Sequence, residues 1–126
     1  MSKDAITITL SLPDKLLHPN GGRGNRHAVH RVGKAAHQRA YYETLAALNR
    51  ADWSRSTIIR LQYDFFVNSK AGAKLSDKDN SIASMKKYQD GIAAAMEIND
   101  RAFPVAEVTH DYDGTPRVVV TITRKH

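Results

Sequence analysis

Midway along the chain, residues 56–68 set Ile59, Leu61, Tyr63 and Phe65 against Arg60, Gln62 and Asp64. β-Branched and aromatic residues at period two specify a strand with one buried face. Phe66 and Val67 make its far end apolar on both sides, which reads as deep burial. Such a strand needs partner strands and a covering layer, and the rest of the chain must supply them.

Residues 5–12 alternate in the same way, with Ile6, Ile8, Leu10 and Leu12 opposite Thr7, Thr9 and Ser11, until Pro13 stops the run. Residues 105–112 and 117–123 give two more strands; in the second, Val118, Val120 and Ile122 alternate with Val119, Thr121 and Thr123. Asp113-Gly114 between them is a hairpin signal. Residues 29–50 read as an Ala-rich helix with Tyr41, Leu45 and Leu48 at helical spacing. Residues 80–96 read as a second helix, its buried stripe formed by Ile82, Met85, Ile92 and Met96. Residues 18–28 and 69–76 read as polar loops. The order βαβαββ, with no repeat and no linker, predicts an α+β fold. It is one domain over 1–126, a mixed four-stranded sheet packed with two main helices.

Composition narrows the function. The chain of 126 residues has no cysteine, which removes disulfides, thiolate zinc sites and cysteine nucleophiles and fits a reducing cytoplasm. No apolar run approaches the roughly 18 residues of a membrane span, and no signal peptide is visible. Net charge is +6, and eight Lys/Arg against Glu43 and Asp52 between His18 and Arg60 account for all of it. A localised basic field of this kind favours polyanions, above all nucleic acid. Arg23 and Arg26 lie in a Gly- and Asn-rich loop whose backbone can approach phosphate, and Arg31, Lys34 and Arg39 continue the field on the helix. His18, His27, His30 and His37 lack the spacing of a zinc site.

The other chemical feature is Asp77-Lys78-Asp79-Asn80 at the entrance to the second helix. In an extended segment, Asp77 and Asp79 present both carboxylates to one side. Two such anions repel, and a hard divalent cation resolves the conflict. Lys86 follows Asp79 by about two turns, and Asp90 is placed to hold it by an i, i+4 pair. The plain alternative is a helix cap at Asp79 or Asn80, which leaves Asp77 unexplained. An EF-hand is excluded, because Ile82 and Tyr88 stand where the loop needs Gly and Glu. Asp111 and Asp113 read as turn residues.

Asp77-Lys78-Asp79-Asn80, Met85-Lys86, Asp90-Gly91-Ile92 and Asn99-Asp100, with Leu17-His18-Pro19-Asn20 upstream of the basic loop, resemble the RusA family of Holliday junction resolvases. The likeness extends over about residues 6–122. It implies that Asp77, Asp79 and Asp100 bind Mg²⁺, with Mn²⁺ as a substitute, and that Lys86 is the catalytic lysine. The chain departs from the family pattern at Ser81, where Leu is usual, and at Asn99, where many members carry another Asp. Lys78 between the two acids is a further departure. The implied activity is metal-dependent hydrolysis at four-way DNA junctions by a homodimer, leaving a 5′-phosphate and a 3′-hydroxyl. Phosphate contacts would come from Arg23, Arg26, Arg31, Lys34 and Arg39. Two other functions fit the same residues: a non-catalytic module for branched DNA, and a nuclease for other branched or single-stranded DNA.

Overall fold

The four alternating segments pair into a single mixed sheet in the order β1 (Ala5–Leu10), β4 (Arg117–Arg124), β2 (Ile59–Phe66), β3 (Glu107–Asp111). The computed structural model describes residues 5–18, 24–51, 59–99, 101 and 103–124. β4 runs antiparallel to both β1 and β2, whereas β3 runs parallel to β2. The register aligns Ile6, Ile122 and Leu61 in one row, and Ile8, Val120, Tyr63 and Val108 in the next. A further row holds Leu10, Val118, Phe65 and His110. Every member of these rows except His110 is buried. The period of two thus produces one apolar face. The opposite face carries Thr7, Thr9, Gln62, Asp64 and Thr109, with the Asp64 carboxylate accepting from Gln62 and from the Thr109 hydroxyl.

Helices α1 (Arg26–Ala51) and α4 (Lys86–Met96) cover the apolar face. Met85, Ile92 and Met96 are fully buried in the same cluster as the strand residues, and each such side chain contributes about 1.5–3 kcal/mol of burial. The expected α+β architecture is therefore the observed one. Among the described residues no helix is long and apolar enough to cross a membrane.

Several local expectations are corrected. β3 and β4 do not form a hairpin, because β2 lies between them. Residues 112–116 instead pass over the end of β2, where the Arg117 guanidinium sits 4.1 Å from the centre of the Phe66 ring and is held bidentately by Asp113. Phe66 and Val67 are half-buried here, not deeply buried. Residues 69–76 are not all loop: Ser69 caps a short helix α2 (Lys70–Leu75) by accepting the Gly72 N–H at 2.9 Å. The second helix divides into α3 (Lys78–Ser84) and α4 at Met85. The Ser84 hydroxyl donates to the Ser81 carbonyl at 2.7 Å, and the Met85 N–H reaches back to Ile82, so the α-helical ladder is broken at that turn.

α1 also buries a different stripe from the one expected. Ala36, Ala40, Thr44 and Ala47 face the core, while Tyr41, Leu45 and Leu48 are only half-buried. Small residues allow close approach. A Cβ built on Gly91 of α4 would lie 2.3 Å from the His37 carbonyl oxygen and 3.1 Å from the Ala40 Cβ. Backbone meets backbone there, and no side-chain rotation can relieve the clash. Gly91→Ala is expected to lower stability by about 1–3 kcal/mol, measured by urea denaturation. Thr44→Val removes a buried hydroxyl that has no hydrogen-bond partner among the described residues, and the same measurement should show a gain on the order of 1 kcal/mol.

Candidate active site

Asp77 opens α3. Its backbone is extended, at φ −98 and ψ 121, and its Oδ1 accepts the N–H groups of Asp79 at 2.8 Å and Asn80 at 3.2 Å. Asp77 is thus the helix cap, whereas the alternative cap reading of the sequence placed it at Asp79 or Asn80. Asp79 lies in the first turn of α3, so the two carboxylates are not neighbours along an extended strand. Both are exposed. The other Asp77 oxygen and the Asp79 carboxylate make no hydrogen bond to a described residue. Oxygen donors of this kind, one or two carboxylates completed by water, suit Mg²⁺. Asp100, the expected third ligand, lies outside the described residues. Among those described, no group of three His, Cys, Asp or Glu side chains is gathered.

The turn is tethered to the sheet through His110, a residue that the sequence did not single out. Ser81, immediately after the motif, shares a 2.7 Å hydrogen bond with Nε2 of His110 on β3. His110 in turn stacks on Phe65, with centroids 5.2 Å apart and planes 22° apart. Its position in a register row with Phe65 was the available signal, but that needed the pairing of β3 with β2. Burial, with the nearby Lys78 charge, holds the His110 imidazole below the ordinary histidine value.

Lys86 begins α4 and donates to Asp90 Oδ1 at 3.0 Å, the i, i+4 pair read from the sequence. On the core side, Tyr63 donates to Gln89 at 2.7 Å, and burial followed by the Asp90 charge pushes its phenol pKa up. Lys86 lines a cleft of about 910 Å³ between the start of α1, the turn Lys15–Leu17 and the α3–α4 joint. Arg26 and His30 of α1 enter it, with His18 and Lys87. The cleft has a partly apolar wall from Leu17, Val29 and Ala83.

The basic residues predicted from the sequence do not all converge. Arg26 shares the cleft with Lys86, whereas Arg31 and Lys34 are exposed on α1 outside its lining. Arg39 pairs with Glu43 at 3.3 Å and lines a separate hollow beside Asp14. Arg23 lies outside the described residues. Asp111 and Asp113 serve local turns, accepting the N–H groups of Tyr112 and Thr115 respectively.

Two expectations follow from this geometry. Asp77→Ala should cost about 1 kcal/mol through loss of the cap, whereas Asp77→Asn keeps a capping oxygen and should melt close to the parent in calorimetry. For His110, the folded state binds its proton more weakly than the unfolded chain, whose ordinary value is 6.5. Stability contributed by this group therefore falls as pH drops below about 6.5 and is restored above it. His110→Gln should flatten that part of a melting-temperature profile between about pH 7 and 5.

No family model matches the chain. An "Uncharacterized protein" of Xylella fastidiosa (strain Temecula1 / ATCC 700964) is 34% identical over 126 residues, in a match that covers 96% of this chain and 78% of the relative. That relative's name states no activity. By this likeness along nearly its whole length, the chain belongs to the same family as the Xylella protein.

Proposed function

We propose that the protein is a divalent-metal-dependent endodeoxyribonuclease of the RusA type, cutting four-way DNA junctions as a cytoplasmic homodimer. The observation that carries this reading is the arrangement around α3. Asp77 and Asp79 stand at its start, and Lys86 just past its end opens into the same cleft as Arg26 and His30. α3 is seven residues long, so only about 10 Å of helix axis separates the acidic turn from the basic cleft. Acid and base at the two ends of one short helix suit a phosphodiester, whose phosphate needs cations and whose hydrolysis needs a metal-holding carboxylate pair.

Asp77 and Asp79, with Asp100, would hold Mg²⁺ or Mn²⁺. When bound, such an ion polarises a phosphoryl oxygen and makes water a nucleophile near neutral pH. The chain's own residues have separate tasks. The Asp77 cap fixes the direction of the turn, and the Ser81–His110 bond holds α3 to the sheet. Lys86, oriented by Asp90, places positive charge where it offsets the phosphate charge that builds during cleavage. Arg26, Arg31, Lys34 and Arg23 supply sequence-independent phosphate contacts, so affinity should fall steeply with salt. A junction has near two-fold symmetry and two strands to cut, which suits paired sites in a dimer.

A non-catalytic branched-DNA module is the second reading, favoured by the use of one Asp77 oxygen as a helix cap. One assay separates the possibilities: purified protein with four-way junction, flap and linear duplex, with and without Mg²⁺, beside Asp79→Asn. The junction should be cut preferentially, EDTA should abolish cutting, and Asp79→Asn should slow it by about 100-fold or more. Binding without cleavage would select the non-catalytic module. Equal or better cutting of flap or linear DNA would select another nuclease class. A mutant as fast as the parent would remove Asp79 from the site.

A further inference from the structure

The cleft beside Lys86 has a feature that its side chains alone do not reveal. Gly33 of α1 lies against Lys87 of α4, and four residues on in each helix His37 lies against Gly91. The two helices therefore run in the same direction, with the start of α4 level with Gly33, about two turns into α1, and Arg26 and Lys86–Lys87 line the same cleft. Among the described residues, no Asp or Glu lines the cleft. Lys86 is paired with Asp90, but among the described residues neither Arg26 nor Lys87 has an acid within ion-pair distance.

Lys87 is seated by a glycine. A Cβ on Gly33 would come within 3.1 Å of Lys87 Cε and 3.4 Å of Cγ, so the aliphatic stem lies along α1 where a side chain is missing. We propose that the cleft is a phosphate-binding site in which Lys87 and Arg26, which both line it, hold one backbone phosphate of a polynucleotide. The space of about 910 Å³ exceeds what a bare anion needs. It accommodates a nucleotide unit, with sugar and base against Leu17, Val29 and Ala83. This assignment deepens the nuclease reading and rests on it for the identity of the polymer: the phosphate held here flanks the one that is cut.

The test uses the whole chain and two readouts. In amide NMR, inorganic phosphate, thymidine 5′-monophosphate and a short oligothymidylate without terminal phosphates are titrated separately. All three should shift the amides of Arg26, His30, Lys86 and Lys87, the oligothymidylate at the lowest concentration, and Lys87→Ala should remove the response. Tighter binding of the monophosphate would overturn the backbone assignment, and no shift at the cleft would overturn the site. In the second readout, junction DNA binding is measured without Mg²⁺ across a salt series. Lys87→Ala should weaken it several-fold and reduce the salt slope by about 0.9, one phosphate contact. Lys87→Arg should restore both. Gly33→Ala should weaken binding without removing any charge, with melting curves to confirm that it is folded. A Lys87→Ala protein that binds with parental affinity and slope would overturn the proposal even if it cuts DNA normally. Conversely, phosphate binding lost in Lys87→Ala, in a protein that cuts no DNA, would keep the phosphate site and discard the nuclease.

Discussion

The structure depends on the close approach of α1 and α4 at Gly91, where one helix backbone lies against the other. A larger residue there would lift α4 away from α1 and, with it, Ile92 and Met96 out of the core. The same approach seats the first turn of α4 about two turns into α1, which is how Lys86 and Lys87 come to share a cleft with Arg26. Packing and electrostatics are thus fixed by one contact. A small-residue stripe of Ala36, Ala40 and Thr44 makes the approach possible at the cost of apolar area, and the long side chains of the sheet and α4 supply the burial instead.

The acidic turn serves two purposes that pull in different directions. As a cap, Asp77 spends one oxygen on the N–H groups of Asp79 and Asn80, and this orders the turn. As a proposed metal ligand, it would use the other. The two uses are compatible because a carboxylate has two oxygens and about four acceptor sites. Ordering the turn also pre-organises it: α3 is fixed at its start by the cap, along its length by Ser81 on His110, and at its end by the buried Met85. A ligand pair on such a support loses little freedom when it binds an ion.

Much of this was legible in the residues. The strands are, because one face of the sheet is buried and period-two alternation records that directly. The Lys86–Asp90 pair is, because helical spacing alone sets it. Sheet order is not: Asp113-Gly114 announces a turn, but nothing local says that β2 intervenes between the strands it joins. The buried stripe of α1 escapes detection because alanine contributes little to hydrophobic periodicity. The break at Met85 escapes because it comes with a bond from the Ser84 hydroxyl to the Ser81 carbonyl that composition does not display. His110 and Lys87 emerge only from tertiary contacts, with Phe65 and Ser81 in one case and Gly33 in the other. Asp100 and Arg23, named by resemblance and by charge, fall outside the described residues.

The central claim is that the turn at Asp77 and Asp79 is a metal centre and not merely a capped helix. Paramagnetic Mn²⁺, added in small amounts during amide NMR, tests it most directly, because broadening reports distance from the bound ion. The account predicts selective loss of the Asp77–Ser81 signals at Mn²⁺ concentrations that leave α1 unaffected, reversal by excess Mg²⁺, and no such loss in a folded Asp77→Asn, Asp79→Asn double variant. Uniform broadening, or a centre elsewhere with the variant responding like the parent, would contradict it.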